Sequence, residues 1–245
     1  MVRYRFTATH ACCLAAGFLL TLTAAGCSSG EEAYELLRER MVRTQIAARG
    51  VTSEQVIAAM MKVPRHRFVP HDLRGLAYID SPLPIGREQT ISQPYIVALM
   101  TESIEPVRGD RILEIGTGSG YQAAVLAEIV DTVFTIEIVP ELAAHSGAIL
   151  DTLGYGNVLV RCGDGYDGWP EKAPFDGIIV TAAAPAIPAP LIEQLEVGGR
   201  IVIPVGGTFQ ELEVHVKRET GLELLFTLPV RFVPMTGKVR ESGGQ

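Results

Sequence analysis

The chain has little cysteine and fewer basic than acidic residues, and both shortages exclude classes of function. Four of its 245 residues are Cys, and none has a Cys or His neighbour at the spacing that zinc requires. The 21 Lys and Arg against 28 Asp and Glu give a net charge of −7. A chain this acidic is a poor candidate for sequence-independent nucleic-acid binding, which needs a basic face. We therefore expect no metal site and no nucleic-acid partner.

Charged side chains are also missing from residues 6–30. Arg3 and Arg5 precede this stretch, and the small residues AAGC close its apolar part at positions 24–27. A basic start, an apolar run and a small-residue exit are typical of a secretory signal, and AAGC is similar to a bacterial lipoprotein box. We predict that residues 1–26 are a signal peptide that is removed.

Cleavage at that point would define the domains and the location of the protein. Residues 27–33 would form a tether, residues 34–240 the main domain, and residues 241–245 a tail. Cys27 would be lipidated, which would hold the protein at the periplasmic side of the cell envelope. The alternative is an uncleaved transmembrane anchor, because the uncharged run is long enough to span a bilayer.

The rest of the chain begins with helical patterns, one ending at Gly50 and the next capped by Ser53. From Arg111 onward, apolar runs alternate with helical patterns, which predicts a doubly wound, mostly parallel α/β sheet. The last two runs flank residues 219–221 and predict an antiparallel hairpin. The seven predicted strands are RILEI, TVFTIEI, NVLVR, FDGIIVT, GRIVIPV, ELEVHVKR and LELLFTLPV.

The strongest local signal is EIGTGSGYQAAVLA at residues 114–127, a strand, a glycine-rich turn and a helix. Such a turn lets the backbone approach a ligand closely. Gly116, Gly118 and Gly120 give G-x-G-x-G, whereas the dinucleotide fingerprint is G-x-G-x-x-G. Glu114 would repel a pyrophosphate and suit a cationic ligand. Both features favour S-adenosylmethionine over NAD as the cofactor.

Two further acids follow the next predicted strands. Glu137 ends the second strand, where an acid can accept both hydrogen bonds from a ribose diol. Asp164 lies between two glycines in GDGYDGWP, where it could accept a hydrogen bond from an adenine amino group. NAD enzymes share the ribose acid with methyltransferases, so Glu137 does not discriminate between the two classes.

Residues 83–95, LPIGREQTISQPY, carry hydroxyl groups but no base. Pro84, Gly86 and Pro94 argue against a continuous helix or strand. Ser92 precedes a helix that begins with Pro94, so it is a candidate helix cap as well as a candidate site residue.

Eight motifs occur in order along the chain: MVRTQIAARG, VPRHRFVP, AYIDSPLPIG, QTISQPYIVALMTE, LEIGTGSGYQAAVLA, GDGYDGWP, APFDGIIVTAAAP and RFVPM. Together they resemble the protein-L-isoaspartate O-methyltransferase family over residues 34–239. The resemblance implies a Rossmann-like fold of the S-adenosylmethionine-dependent methyltransferase type. It also implies methyl transfer to the α-carboxylate of L-isoaspartyl residues in damaged proteins, with repair through a succinimide.

The resemblance implies roles for particular residues. The catalytic residue is Ser92. The implied cofactor-binding residues are Glu114, Gly116, Thr117, Gly118, Gly120, Glu137, Asp164 and Gly165. The implied substrate-binding residues are Thr90, Ser92, Asp80, Ala182 and Ala183. Asp80 could equally cap a turn.

Two features depart from the family's pattern. The family commonly has Gly at the second residue before Thr90, where this chain has Glu88. A negative charge there would repel an anionic substrate if it pointed inward, so we predict that Glu88 points to solvent. The family is also normally cytoplasmic without a signal, which makes a cytoplasmic location the alternative to the envelope.

The implied reaction explains why residues 83–95 need no base. The substrate carboxylate is the nucleophile and is ionised at neutral pH, with a reference pKa of about 3.5–4. Ser92 would hold and aim it, and orientation can supply on the order of 7–11 kcal/mol. We therefore expect His66 and His71 to be packing or surface residues.

Three other functions compete with isoaspartyl repair. They are methylation of another carboxylate, a nicotinamide-dependent oxidoreductase, and a non-catalytic envelope lipoprotein of the same fold. The glycine spacing and the absence of a hydride-transfer His or Tyr in sequence context argue against the oxidoreductase. We expect a monomer whose partners are isoaspartyl proteins and peptides and whose membrane contact is limited to the N-terminal anchor.

Overall fold

A computed structural model describes residues 25–239 of the chain. Contacts divide the chain into two compact units, Met1–Ala33 and Tyr34–Gln245. The described part of the first unit is helical. Residues 1–24 of the predicted signal and the predicted tail lie outside the described residues. Within residues 25–239, no helix combines the length and the apolar character that crossing a membrane requires.

The N-terminal helix α1 spans Ala25–Met41. Its path continues through a π-helical turn at Val42–Ile46 and a 3-10 turn at Ala47–Arg49. Gly50 ends it with φ of 100°, a left-handed conformation that glycine adopts without steric cost. The predicted C-cap at Gly50 is confirmed.

The second helix, α2 (Glu54–Lys62), has the cap that the sequence predicts. The Ser53 hydroxyl accepts a hydrogen bond from the backbone N–H of Val56 at 3.4 Å. The helix ends before Pro64, because the residue preceding a proline disfavours helical geometry. Its buried residue Met60 packs in the N-terminal core.

Residues 83–95 form a β-hairpin followed by a helix; the prediction that no continuous helix or strand runs through them is confirmed, but the hairpin itself was not predicted. Strands β1 (Leu83–Gly86) and β2 (Gln89–Ile91) pair antiparallel through a two-residue turn. Pro84 fits because a short ribbon can leave a missing N–H at its edge. Helix α3 (Pro94–Ser103) then begins with its proline at the first turn, as predicted.

The main sheet has seven strands among the described residues. They are β3 (Arg111–Ile115), β4 (Thr132–Glu137), β5 (Val158–Cys162), β6 (Phe175–Val180), β7 (Leu195–Gly206), β8 (Gln210–Arg218) and β9 (Gly221–Val230). Their spatial order is β5-β4-β3-β6-β7-β8-β9. The first five are parallel, and β8 and β9 add an antiparallel hairpin. This is the predicted doubly wound sheet with its C-terminal hairpin.

Three helices connect the strands: α4 (Tyr121–Ala127), α5 (Pro140–Thr152) and α6 (Ala189–Gln194). The central strands β3, β4 and β6 are buried almost throughout, because layers of helices cover both faces of a parallel sheet. Strand β8 instead alternates buried and less buried residues, which is the pattern of a sheet with one covered face.

Candidate functional site

The strand order creates a crevice at one edge of the sheet. From β3 the chain runs outward through β4 and β5 and then returns to form β6 on the other side of β3. Ligands of open α/β sheets bind outside the carboxyl ends of the strands at such a reversal. A cavity lies there, lined by the loops that follow β3, β4 and β6. We call it the cofactor cavity; residues 89–92, 115–119, 136–138, 165, 181–182 and 233–236 contribute to its walls.

The glycine-rich turn that lines this cavity cannot carry side chains at its first position. Gly116 has φ of 95°, and a Cβ on it would lie 2.3 Å from the Thr181 Oγ1 atom. The Thr181 hydroxyl lies 2.7 Å from the carbonyl oxygen of Gly116 and 3.1 Å from that of Ile115. Gly118 and Gly120 also have positive φ. Thr181 directly follows β6, and its hydroxyl bonds to the end of β3 and to the glycine turn. This close contact is possible only because residue 116 has no side chain.

Glu137 is held in the wall of the cofactor cavity by backbone donors. Its Oε2 accepts the N–H of Gly118 at 2.7 Å and its Oε1 accepts that of Val139 at 2.9 Å. The side chain is buried, and each oxygen keeps further acceptor capacity. The arrangement fits the predicted role of accepting from a ribose diol.

Glu114 lies beneath the glycine turn and is not part of the cavity wall. The Thr135 hydroxyl donates to its Oε2, and that hydroxyl lies 2.7 Å from the Thr117 hydroxyl, which does line the cavity. Glu114 Oε1 is buried without a hydrogen-bond partner among the described residues. Burial raises the pKa of Glu114 to about 8, opposed by the Thr135 hydrogen bond and assisted by the charge of Glu137. The carboxyl is therefore largely protonated at neutral pH, and since a neutral carboxyl does not attract a cation, the charge-based reason for placing Glu114 at the cofactor is not supported.

The third loop places one of its two predicted residues at the cavity. Gly165 lines it and lies so close to β3 that a Cβ would be 2.3 Å from Ile115 Cγ2. Asp164 does not line the cavity. Its Oδ1 accepts the N–H of Tyr166 at 2.9 Å and its Oδ2 that of Lys238 at 2.8 Å. The adenine contact of Asp164 stays a prediction.

Ser92 lies at the boundary between the cofactor cavity and a second cavity, which we call the substrate groove. Thr90, Ser92, Thr181 and Val233 line both. Ser92 is not the cap of α3: the N-cap residue is Gln93, and its side chain makes no capping hydrogen bond. The alternative reading of Ser92 as a helix cap is therefore wrong. Among the described residues the Ser92 hydroxyl has no hydrogen-bond partner, which leaves it available to a ligand.

A buried arginine fixes the backbone of Ser92. Arg65 donates from Nη2 to the carbonyl oxygen of Ser92 and from Nε to that of Ala77, both at 2.7 Å. Its guanidinium lies 4.7 Å from the centre of the Tyr121 ring at the start of α4. Burial lowers the pKa of Arg65 to about 10, so it stays charged at neutral pH. The sequence analysis missed this residue, because VPRHRFVP contains two arginines and nothing local shows which of them is buried.

Three of the predicted substrate residues line a cavity, and the other two do not. Ala182 lines the cofactor cavity, whereas Ala183 is buried and lines neither cavity, because its backbone pairs with the C-terminal segment around Val233. Asp80 lines neither cavity either. Its Oδ2 lies 2.7 Å from Nη1 of Arg49, which does line the groove. Neither Ala183 nor Asp80 lines a cavity, and their contacts with substrate stay a prediction.

The remaining predictions about this region concern Glu88 and the histidines. Glu88 occupies the turn of the β1-β2 hairpin with φ of 59°, is exposed and lines neither cavity, so its prediction is confirmed. A left-handed turn position favours glycine, which explains why glycine is common in the family there. His66 is buried with its Nδ1 2.8 Å from the Tyr78 hydroxyl, and His71 is exposed. Both are packing or surface residues, as predicted.

The fold and the site together define a class. A mostly parallel seven-stranded sheet, a G-x-G-x-G turn after β3 and a buried acid at the end of β4 are the features of an S-adenosylmethionine-dependent methyltransferase. Residues 25–239 hold no cluster of three metal-ligating side chains.

Comparisons with known proteins identify the family. The family model for protein-L-isoaspartate(D-aspartate) O-methyltransferase matches residues 37–240. The chain is 57% identical over 201 residues to the protein-L-isoaspartate O-methyltransferase of Picosynechococcus sp., covering 82% of this chain and 90% of the relative. It is 54% identical over 220 residues to that of Opitutus terrae, covering 89% and 94%. The chain belongs to the protein-L-isoaspartate O-methyltransferase family.

Solved structures agree with that assignment. A protein-L-isoaspartate O-methyltransferase superposes with a TM-score of 0.74 at 29% identity, covering 84% of this chain and 67% of the other. A Plasmodium falciparum protein-L-isoaspartate O-methyltransferase in complex with S-adenosyl-L-homocysteine superposes with a TM-score of 0.68 at 26% identity, covering 83% and 98%. The predicted fold class and cofactor are confirmed.

Proposed function

We propose that Ser92 holds the α-carboxylate of an L-isoaspartyl residue at the boundary between the two cavities during the family's reaction. The observation that carries this assignment is that Thr90, Ser92 and Thr181 line both cavities at once. A methyl donor in one cavity and a carboxylate in the other can meet only where the walls are shared.

The family's reaction is methyl transfer from S-adenosylmethionine to the isoaspartyl carboxylate, which starts repair through a succinimide. The cofactor supplies an electrophilic methyl group on a positively charged sulfur. Glu137 would hold its ribose and the loop at Gly165 its adenine side, while the glycine turn would accommodate its remaining part. The close contact between Gly116 and Thr181 shows that this turn is shaped for backbone and not for side chains.

The chemistry of Ser92 suits a nucleophile that is already ionised. A hydroxyl donates one neutral hydrogen bond, which aims the carboxylate without neutralising it. A cation at the same point would stabilise the charged ground state more than the transition state, in which that charge is being lost. Arg65 keeps its guanidinium on the backbone carbonyl of Ser92, so its charge orients the loop without pairing with the substrate.

The test of the substrate is a comparison of two peptides. The purified full-length chain is given an isoaspartyl peptide, its normal aspartyl twin and methyl-labelled cofactor. We expect label in the isoaspartyl peptide alone, because only in that isomer does the peptide bond run through the β-carboxyl group and leave the α-carboxylate free. Equal labelling of the two peptides would indicate a general carboxylate methyltransferase, and no labelling of either would favour the non-catalytic lipoprotein.

We also propose that the chain is lipid-anchored at Cys27 on the periplasmic side of the envelope. The support is the sequence of residues 1–27, with its basic start, uncharged run and small-residue exit. Growth with a radioactive fatty acid should label the protein, and Cys27→Ser should abolish the label. Unlabelled protein in the soluble cytoplasmic fraction would instead support the cytoplasmic alternative.

The expected monomer is a proposal of the same kind. Light scattering of the purified protein in detergent, corrected for the detergent mass, should give the mass of one chain. A mass of two chains would contradict it.

A further inference from the structure

The substrate groove has an unbalanced charge. Among the described residues that line it there is no Asp or Glu, and its two charged side chains are Arg49 and Arg231. The chain as a whole carries −7. The groove is therefore a positive region on an acidic protein, next to the site of methyl transfer.

The two arginines differ in how their charge is compensated. Arg49 forms an ion pair with Asp80 at 2.7 Å, and its guanidinium lies 3.5 Å from the centre of the Tyr95 ring. Arg231 is exposed and forms no ion pair or hydrogen bond with another described residue. The uncompensated positive charge of the groove is thus that of Arg231.

Arg231 is placed close to the reaction without being part of it. It follows the end of β9 directly, and Val233, two residues further on, lines both cavities. Pairing with the reacting carboxylate would work against catalysis, because methylation turns that carboxylate into a neutral ester and the ion pair would be lost on the way to the transition state. The charge of Arg231 suits an acid that is bound but not consumed.

We propose that Arg231 is a specificity residue that binds the carboxylate of an Asp or Glu flanking the isoaspartyl residue, so that acidic segments of damaged proteins are preferred substrates. The inference rests on the proposed use of the groove for substrate. An unpaired guanidinium at a solvent-exposed rim attracts such a group, with a modest energy that salt screens.

The experiment uses the full-length chain and three isoaspartyl peptides. The peptides are identical except for the residue on each side of the isoaspartyl residue, which is Glu in the first peptide, Gln in the second and Lys in the third. For the unaltered enzyme we expect KM to rise in the order Glu, Gln, Lys, with Glu and Gln differing by roughly 2- to 5-fold at low ionic strength. The difference should shrink in 0.5 M salt, because the Debye length there is only about 4 Å. The value of kcat should be similar for the three peptides.

Two variants of Arg231 and one control variant separate the proposal from a general charge effect. Arg231→Gln should make the Glu and Gln peptides equivalent, and Arg231→Glu should reverse the order in favour of Lys. Arg108→Gln makes the same charge change at an exposed residue outside the groove and should leave the order unchanged. Cofactor-product binding, measured by calorimetry, should be unaltered in all three variants.

The proposal is overturned if the unaltered enzyme treats the three peptides alike, or if Arg231→Gln raises KM equally for all of them. Either result can be told apart from failure of the proposed function. If the proposed function were wrong, the unaltered enzyme would methylate the Gln peptide and its normal aspartyl twin to the same extent, or would methylate neither.

Discussion

The cofactor cavity and the substrate groove are built in opposite ways. In the cavity wall, both carboxylate oxygens of Glu137 already accept backbone hydrogen bonds, and Thr181 is packed onto Gly116 at a distance that leaves no room for a side chain. On the groove side, the hydroxyl of Ser92 has no described partner and Arg231 is exposed. The difference indicates a cavity organised in advance for one ligand and a groove that stays open to protein segments of many sequences.

The sharpest test of the preorganised cavity is to add one methyl group to its wall and, as a control, one to a glycine that lines neither cavity. Gly116→Ala and Gly86→Ala both place a side chain at positive φ, 95° and 92°, which costs about 1–3 kcal/mol in either case. Only at Gly116 does the new Cβ also meet another atom, since nothing lies within 4 Å at Gly86. We expect Gly116→Ala to weaken S-adenosylhomocysteine binding by roughly 100-fold, equivalent to about 2.7 kcal/mol, and Gly86→Ala to leave it within roughly 2-fold. Isothermal calorimetry on both variants measures this, and equal losses would mean that backbone strain alone is responsible.

The buried acid beneath the glycine turn gives a pH-dependent prediction. The Glu114 carboxyl titrates near 4.5 when unfolded and near 8 when folded. Between these pH values the folded state binds more protons than the unfolded state. The contribution of Glu114 to the free energy of unfolding therefore falls as pH rises through this window and is constant above it. Relative to the unaltered chain, Glu114→Gln should therefore gain unfolding free energy from pH 4.5 to 8, on the order of 4 kcal/mol.

Urea unfolding at pH 5, 6.5 and 8 provides that measurement. Glu196→Gln removes an exposed carboxyl of the same kind and serves as the control for the substitution itself. A stability difference for Glu114→Gln that stays the same at all three pH values would show that Glu114 is ionised in the folded protein.

The smallest effect is expected at the hairpin turn. Glu88→Gly should relieve the strain of a left-handed position, at φ of 59°, and raise stability by up to about 1 kcal/mol. Since Glu88 is exposed and lines neither cavity, KM for an isoaspartyl peptide should change by less than roughly 2-fold. A strong fall in KM would mean that the Glu88 charge does reach the substrate.

The fold was predictable because its signals are local. Alternating apolar runs and helical patterns predict the succession of β3 to β9 along the chain. Gly50 and Ser53 mark helix ends through their own backbone and side-chain chemistry. The β1-β2 hairpin was missed for the converse reason. Pro84 and Gly86 are unfavourable inside a strand, and only the pairing of Leu83 with Ile91 across the turn shows that a short ribbon tolerates them.

The candidate site was predictable where the residue that lines the cavity was itself marked by its sequence context, as Gly116, Glu137 and Ser92 were. Residues that act through long-range packing could not be found in this way. Arg65 reaches the carbonyl of Ser92 across 27 positions of sequence, and Arg49 rather than Asp80 faces the groove. The RFVPM motif was noticed, but its place against both cavities depends on backbone pairing with Ala183.

The most direct test of the account is Ser92→Ala, measured for turnover and for S-adenosylhomocysteine binding in the same preparation. Because the Ser92 hydroxyl has no described partner, stability should change by less than about 0.5 kcal/mol. The control Ser53→Ala removes a real cap and should cost about 1 kcal/mol without affecting turnover. We predict that Ser92→Ala lowers kcat/KM for an isoaspartyl peptide by roughly 10- to 100-fold, the value of one hydrogen bond to a charged group, with cofactor-product affinity unchanged. Unaltered turnover, or an equal loss of cofactor-product binding, would contradict the placement of Ser92 at the meeting point of the two cavities.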